Sequence, residues 1–303
     1  YWDAIVWATG AWRYYLLTGD REFLSIAKEA VTNSLAYYED TEFDAADGLF
    51  RGPGWSDGVA AYPDEYAGAN GESGINTWPR HNPDRKAPRG YGIPMKALST
   101  NCLYYNAYRV RIEMAAELGE MVDPEWARKA EHLRQAINTV LWTGDRYRFL
   151  TGPFGASDRQ EALGNAYVLL FGVADETRGR AVLGAQTVMP AGVPAVWPDY
   201  PRYRKEGSAD FSRHAGTVWP QIQGMWADAA ARRGDVAMLW HELSQLAAHA
   251  VRDRQFAEIY HPLTGAVYGG LQERGGRGIG LWESQPRQSW AASAYLRMLF
   301  SGV

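Results

Sequence analysis

The chain has 303 residues, a formal net charge of −4, 46% hydrophobic and 22% charged residues. This is the balance of a folded globular protein. It gives no basic surface for nucleic acid and no apolar run near the roughly 18 residues that a membrane span needs. The lone cysteine, Cys102, excludes an internal disulfide and a thiolate metal cluster.

Apolar residues recur at helical spacing along most of the chain. A helix is expected over 3–17, then over 21–39 with Phe23, Ala27, Ala30, Val31, Ser34 and Tyr38 on one face. Residues 98–118 follow, with Leu103, Ala107, Val110, Met114 and Leu118 in register, and Cys102 reads as a core thiol on that stripe. Trp126, Ala130, Leu133, Ile137 and Val140 mark 124–141, and weaker patterns cover 159–171, 176–187, 216–232, 236–252 and 287–300. The expectation is about nine helices and no long strand.

Short and long connections alternate. Thr18-Gly19-Asp20, the few residues ending at Asp123, the turn at Asp175 and Arg233-Gly234-Asp235 each place an aspartate where it can cap the next helix. The last of these reads as a glycine break plus a cap, not as an adhesion tripeptide. The other connections, 40–97, 142–158, 188–215 and 253–286, are long. Short turns make antiparallel hairpins and long ones link hairpin to hairpin, so the long loops gather at one end of an all-helical domain. Chemistry is expected there, because loops on a rigid scaffold carry most function.

Thirteen Trp and eighteen Tyr suit sugar binding as well as packing, since flat rings cover the apolar face of a pyranose. Loop 40–97 offers Asp44, Asp47, Asp57, Asp64 and Glu65; Asp57 ranks first because Trp55 flanks it and Gly58 follows it. A turn aspartate bonding its own backbone is the structural alternative. Loop 253–286 places Glu258 in the apolar-aromatic stretch Phe256-Ala257-Glu258-Ile259-Tyr260, where a carboxylate is costly unless paired or used. Glu283 competes with it but also suits a helix cap. Loop 188–215 supplies Trp197, Asp199, Tyr200, Tyr203, Asp210, Arg213 and His214, and loop 142–158 adds Arg146, Arg148 and Asp158. Two carboxylates on opposite walls, one protonated and one ionised, are what glycoside hydrolysis requires. No zinc or calcium ligand spacing is present, so neither a catalytic metal nor another cofactor is expected.

Three segments carry a resemblance to the six-hairpin, (α/α)6-barrel glycoside hydrolases, which include glucoamylases and the glucosidase domain of glycogen debranching enzymes. Tyr1-Trp2-Asp3 through Trp12 to Thr18-Gly19-Asp20 resembles an inner helix and its turn. His214-Ala215-Gly216-Thr217-Val218-Trp219-Pro220 is similar to the family's His-Asn-Gly-Thr-Val-Trp-Pro, with Ala215 in place of Asn. Ala257-Glu258-Ile259-Tyr260 with Thr264-Gly265, then Gln288-Ser289-Trp290-Ala291, resembles the base-bearing loop and final inner helix.

The resemblance implies one all-α (α/α)6 toroid over 1–303. If 287–300 is the twelfth helix, the first helix here is the fourth, and about three N-terminal helices precede Tyr1, as for a processed or excised fragment. Loop 40–97 then falls where the family carries its acid and loop 253–286 where it carries its base. Asp57 is thus expected as general acid and Glu258 as general base of an inverting hydrolase removing a terminal, α-linked sugar from an oligo- or polysaccharide. Trp55-Ser56-Asp57-Gly58 departs from the debranching enzymes' Trp-Met-Asp, and Tyr62-Pro63-Asp64-Glu65 is the alternative source of the acid. Trp2, Trp7, Trp55, Trp197, Trp219 and Tyr260 are expected to line a blind pocket, with Asp3, Arg51 and His214 meeting sugar hydroxyls. Such a role suits the extracellular space or periplasm; sugar identity and oligomeric state are left open. The same barrel also serves sugar epimerases and polysaccharide lyases, in which His214 and Tyr260 would matter most. A non-catalytic carbohydrate-binding domain is the third reading.

Overall fold

The computed structural model describes residues 3–54, 66–67, 77–203, 208–274 and 277–302. Its helices are α1 (Asp3–Thr18), α2 (Arg21–Thr41), the single turn α3 (Trp78–His81), α4 (Leu98–Leu118), α5 (Pro124–Ala136), α6 (Ala162–Leu170), α7 (Glu176–Ala185), α8 (Pro220–Arg232), α9 (Val236–Asp253) and α10 (Ser289–Gly302). A π-helical turn, Ile137–Leu141, continues α5. All nine expected helices are present. Among the described residues the strands form four antiparallel ladders: β1 (Phe43–Asp44) with β2 (Leu49–Phe50), β3 (Lys96–Ala97) with β4 (Leu150–Thr151), β5 (Gln160–Glu161) with β6 (Val196–Trp197), and β7 (Leu271–Glu273) with β8 (Ile279–Leu281).

The four aspartates cap as expected. Asp20, Asp123, Asp175 and Asp235 accept from the backbone N–H of Phe23, Glu125, Arg178 and Met238, each satisfying a donor that the helix itself leaves unpaired. α4 stops at Gly119, whose φ of 76° is the left-handed conformation that only glycine adopts without strain.

α1, α4, α6, α8 and α10 form a row in which each packs on the next, and the second helix of each hairpin lies outside: α2 on α1 and α4, α5 on α4, α7 on α6, and α9 on α8 and α10. Composition explains the division. Every residue from Leu98 to Tyr108 of α4 and from Ala162 to Leu169 of α6 is buried, as an inner helix needs. α8 approaches α10 closely because Gly224 has no side chain: a β-carbon there would lie 2.9 Å from that of Ala294. The outer α2 buries a single stripe, Leu24, Ala27, Val31, Leu35 and Tyr38. That stripe is rotated from the expected one, since Phe23, Ala30 and Ser34 lie at its half-buried margin. Cys102 is fully buried on α4, and burial pushes its thiol well above the usual range.

Two helices start later than their periodicity suggests. α6 begins at Ala162 because Gln160 and Glu161 are extended and paired with Trp197 and Val196. α8 begins at Pro220, where a missing N–H costs nothing, because Val218 is extended and exchanges both backbone hydrogen bonds with Tyr260.

The hairpin turns share one end, so the long connections share the other. There they pack on each other in a separate cluster that includes Tyr66, Trp78, Met95, Phe149, Val196, Tyr200, Tyr203 and Leu271. Among the described residues no helix is long and apolar enough to cross a membrane.

Candidate active site

The loop between α9 and α10 is tied down on both sides of Glu258. Tyr260 is held by the Val218 ladder bond, and its hydroxyl accepts from the N–H of Ala257 at 2.8 Å. Its ring stacks on His249 of α9 with centroids 4.6 Å apart. Ser284 Oγ accepts from the N–H of Ile259 at 2.9 Å and donates to the same residue's carbonyl at 3.0 Å. The Glu258 N–H donates to the Gln285 carbonyl at 2.9 Å. Three consecutive residues therefore have fixed backbone, and the carboxylate's origin is set by hydrogen bonds rather than by side-chain packing alone.

Glu258 is buried at 6% exposure, yet its two carboxylate oxygens differ. Oε2 accepts from Arg213 Nη2 at 2.7 Å and from the Gln285 N–H at 3.0 Å. Oε1 makes no hydrogen bond among the described residues. One oxygen is thus fixed and the other is uncommitted among the described residues, an arrangement a general base could use.

Arg213 belongs to a segment that is itself anchored. Asp199 accepts from the N–H of Ser212 and of Tyr200, both at 2.8 Å, and from Ser212 Oγ at 2.5 Å. The Arg213 N–H donates to Leu271 O at 2.8 Å. Its carbonyl accepts from Trp219 Nε1 at 2.8 Å and from Thr217 Oγ1 at 2.5 Å. Trp219 lies below, with the guanidinium carbon 5.5 Å from its ring centre, and His214 stacks on the same ring at 5.2 Å. The motif 214–220 is therefore the platform on which the Arg213–Glu258 pair rests.

In the loop after α2, Gly52 bridges to Lys96, and the carbonyl of Pro53 accepts from Thr100 Oγ1 on the first turn of α4. The hairpin order points the N-terminal ends of the inner helices toward this loop end, where the partial positive charge of each favours carboxylates. Glu161 shows the effect: fully buried, it accepts from the Ser99 N–H at 2.9 Å at the start of α4.

The structure thus brings together Glu258, His214, Trp219 and Tyr260 of the residues expected from sequence. Tyr260 is corrected, however. At 0% exposure, with its hydroxyl bound to Ala257 and its ring on His249, it builds the loop and presents nothing to a pocket. Trp197 is half-buried in β6, 6.3 Å from Phe211. Trp7 lies against Phe23 of α2 at 6.2 Å, and Asp3 is an exposed first-turn residue of α1. Arg51 is mostly buried and is engaged by neighbours on its own loop. Nη2 donates to Thr41 O at 3.0 Å, and Asp44 and Glu42 lie 3.6 and 4.0 Å away. Asp57, Trp2 and Trp55, with Tyr62, Asp64 and Glu65, lie outside the described residues.

Sequence reasoning noted Arg213 and Asp199 only as loop residues. The one signal for Arg213 was a cation immediately before the His214–Pro220 motif. Glu42 was missed entirely; burial pushes its carboxyl up to about 7, against the Tyr91 N–H, which donates to it at 2.7 Å. Among the described residues no group of His, Cys, Asp and Glu is arranged to hold a metal ion.

Comparison with known proteins places the chain in a family. Residues 4–291 match the model of the mannosylglycerate hydrolase MGH1-like glycoside hydrolase domain. No curated protein matches. Among solved structures, the rhamnosidase of family GH78 from Bacillus sp. GL1 superposes with a TM-score of 0.63 at 17% identity, over 96% of this chain and 25% of its own. The chain therefore spans a quarter of that protein's length. The GH63 mannosylglycerate hydrolase from Thermus thermophilus in complex with glucose gives 0.65 at 18% identity, over 98% of this chain and 74% of its own. An uncharacterized conserved protein from the same organism gives 0.66 at 17%, over 98% and 76%. These likenesses share the fold, an (α/α)6 helical barrel, and the match over 4–291 gives the family: the chain belongs to the mannosylglycerate hydrolase MGH1-like glycoside hydrolases.

Proposed function

We propose that the protein removes a terminal α-linked sugar by inversion, with Glu258 as general base and Asp57 as general acid. The observation that supports the reading is the asymmetry within Glu258, where Oε2 is bound by Arg213 and the Gln285 N–H while Oε1 makes no hydrogen bond among the described residues. A water on Oε1 would attack the anomeric carbon as Asp57, from loop 40–97, gives its proton to the leaving oxygen. Inversion needs the two carboxyls roughly 6.5–9.5 Å apart, with room for that water. Trp2, Trp55 and Trp197 are the proposed aromatic walls, and Trp219 and His214 back the base from below.

The names of the family and of the Thermus structures make mannosylglycerate the first substrate to test, with an α-rhamnoside second. Proton NMR during turnover would give the configuration of the sugar first released. An inverted anomer supports the reading; a retained one would replace the water on Glu258 with a covalent intermediate and contradict it.

A further inference from the structure

We infer that Arg213 is a positioning residue for Glu258: it aims the carboxylate and supplies its countercharge without touching substrate. This rests on the general-base reading of Glu258. The guanidinium is shared among separate stretches of chain. Nη2 binds Glu258 Oε2 at 2.7 Å, while Nη1 donates to the carbonyls of Gly269 at 2.7 Å and Glu283 at 3.1 Å. Its own backbone is bonded at both N–H and carbonyl, and the group is buried. The planar fork therefore has little freedom to turn. Glu258 Oε2 can occupy one place relative to the loops at 269 and 283, and Oε1 is directed as a consequence.

Lysine cannot reproduce this. An ammonium keeps the charge but loses the fixed angle between the two terminal nitrogens, so it cannot hold the carboxylate and the two carbonyls in the same arrangement. With the charge removed altogether, Glu258 becomes a buried carboxylate whose remaining Oε2 partner is the Gln285 N–H. Such an unpaired ion is strongly destabilising. Two consequences separate positioning from mere packing. Displacing Oε1 by a fraction of an ångström affects the water attack more than the binding of sugar, so the loss falls on kcat. The sign of a Glu258 substitution on stability depends on whether Arg213 is present.

The test uses Arg213→Lys, Arg213→Met, Glu258→Gln and the double variant Arg213→Met/Glu258→Gln, with thermal melts and turnover of mannosylglycerate or of whichever α-aryl glycoside the protein accepts. Arg213→Lys is expected to lose about 100-fold in kcat with little change in KM, the scale of a misplaced catalytic group. In melts, which need no substrate, Glu258→Gln should lower Tm in the wild-type background and raise it in the Arg213→Met background. Full kcat in Arg213→Lys, or a loss confined to KM, would overturn the positioning role. The same sign of Glu258→Gln in both melts would overturn the pairing. If Glu258→Gln itself turns over at the wild-type rate, the general-base reading fails instead, a result distinct from either.

Discussion

Gly270 passes so close to Arg213 that a β-carbon on it would lie 2.4 Å from the Arg213 Cα, and its φ of 77° is one that side chains rarely adopt. The contact fixes how near the 269–273 stretch lies to the segment carrying the arginine, and thereby where Arg213 finds the Gly269 carbonyl. Gly270→Ala should therefore act on both fold and chemistry. The backbone conformation alone costs about 1–3 kcal/mol for a residue with a side chain. The clash moves Arg213 in addition, so kcat is expected to fall at least about tenfold in whatever protein remains folded. Melting curves together with kcat on the folded fraction check this; unchanged kcat would detach Gly270 from the site.

A second ion pair holds the inner row at the hairpin-turn end. Asp228 of α8 is fully buried, accepts from Arg232 Nε at 2.7 Å, and also binds Arg297 of α10. Removing the acid strands two guanidiniums, one of them largely buried, so Asp228→Leu should destabilise by about 3 kcal/mol. The double variant Asp228→Leu/Arg297→Met should recover much of that loss, because no unpaired charge is then left between the helices. Urea unfolding of both variants checks the pair, and equal losses would show that packing, not charge, dominates.

Stability should fall as the solution becomes alkaline. Glu242 of α9 is fully buried, and burial pushes its carboxyl up to about 8, with the Gln223 amide and the Val193 N–H offsetting part of the shift. The unfolded chain releases that proton near the usual carboxyl value of 4.5, so between about 4.5 and 8 the folded state binds more protons than the unfolded one. Its contribution is present in full below that window and is lost as pH rises through about 8. Glu42, pushed up to about 7, adds the same trend at lower pH. Glu242→Gln should be close to neutral at pH 5 and raise stability by at least about 1 kcal/mol at pH 9. Thermal melts at the two pH values decide it; an equal effect at both would place the Glu242 carboxyl in its ordinary range.

The scaffold was legible from sequence because each of its parts is local. Apolar spacing marks a helix, and an aspartate two or three residues before an amide marks its start, as Asp20, Asp123, Asp175 and Asp235 do. Where pairing is non-local the reading slipped: the starts of α6 and α8 are set by Trp197 and Tyr260, 37 and 42 residues from their partners Gln160 and Val218. Glu258 was singled out because a carboxylate among aromatic residues is conspicuous. Arg213 was noted without a role because its meaning lies entirely in residues 45 or more positions away, at Glu258, Gly269 and Glu283. Tyr260 was assigned to sugar for its type, whereas its hydroxyl closes a turn onto Ala257 only three residues back.

We propose Glu258 as the base of a glycoside hydrolase, a role that the Glu258→Gln variant decides. The measurement is turnover of mannosylglycerate and of α- and β-aryl glycosides of glucose, mannose, rhamnose, galactose and glucuronate by the wild-type protein and by Glu258→Gln, with folding checked by melting. One sugar released by the wild type, and its release slowed by at least about 100-fold in the folded variant, is the predicted result. Wild-type turnover in folded Glu258→Gln would contradict it.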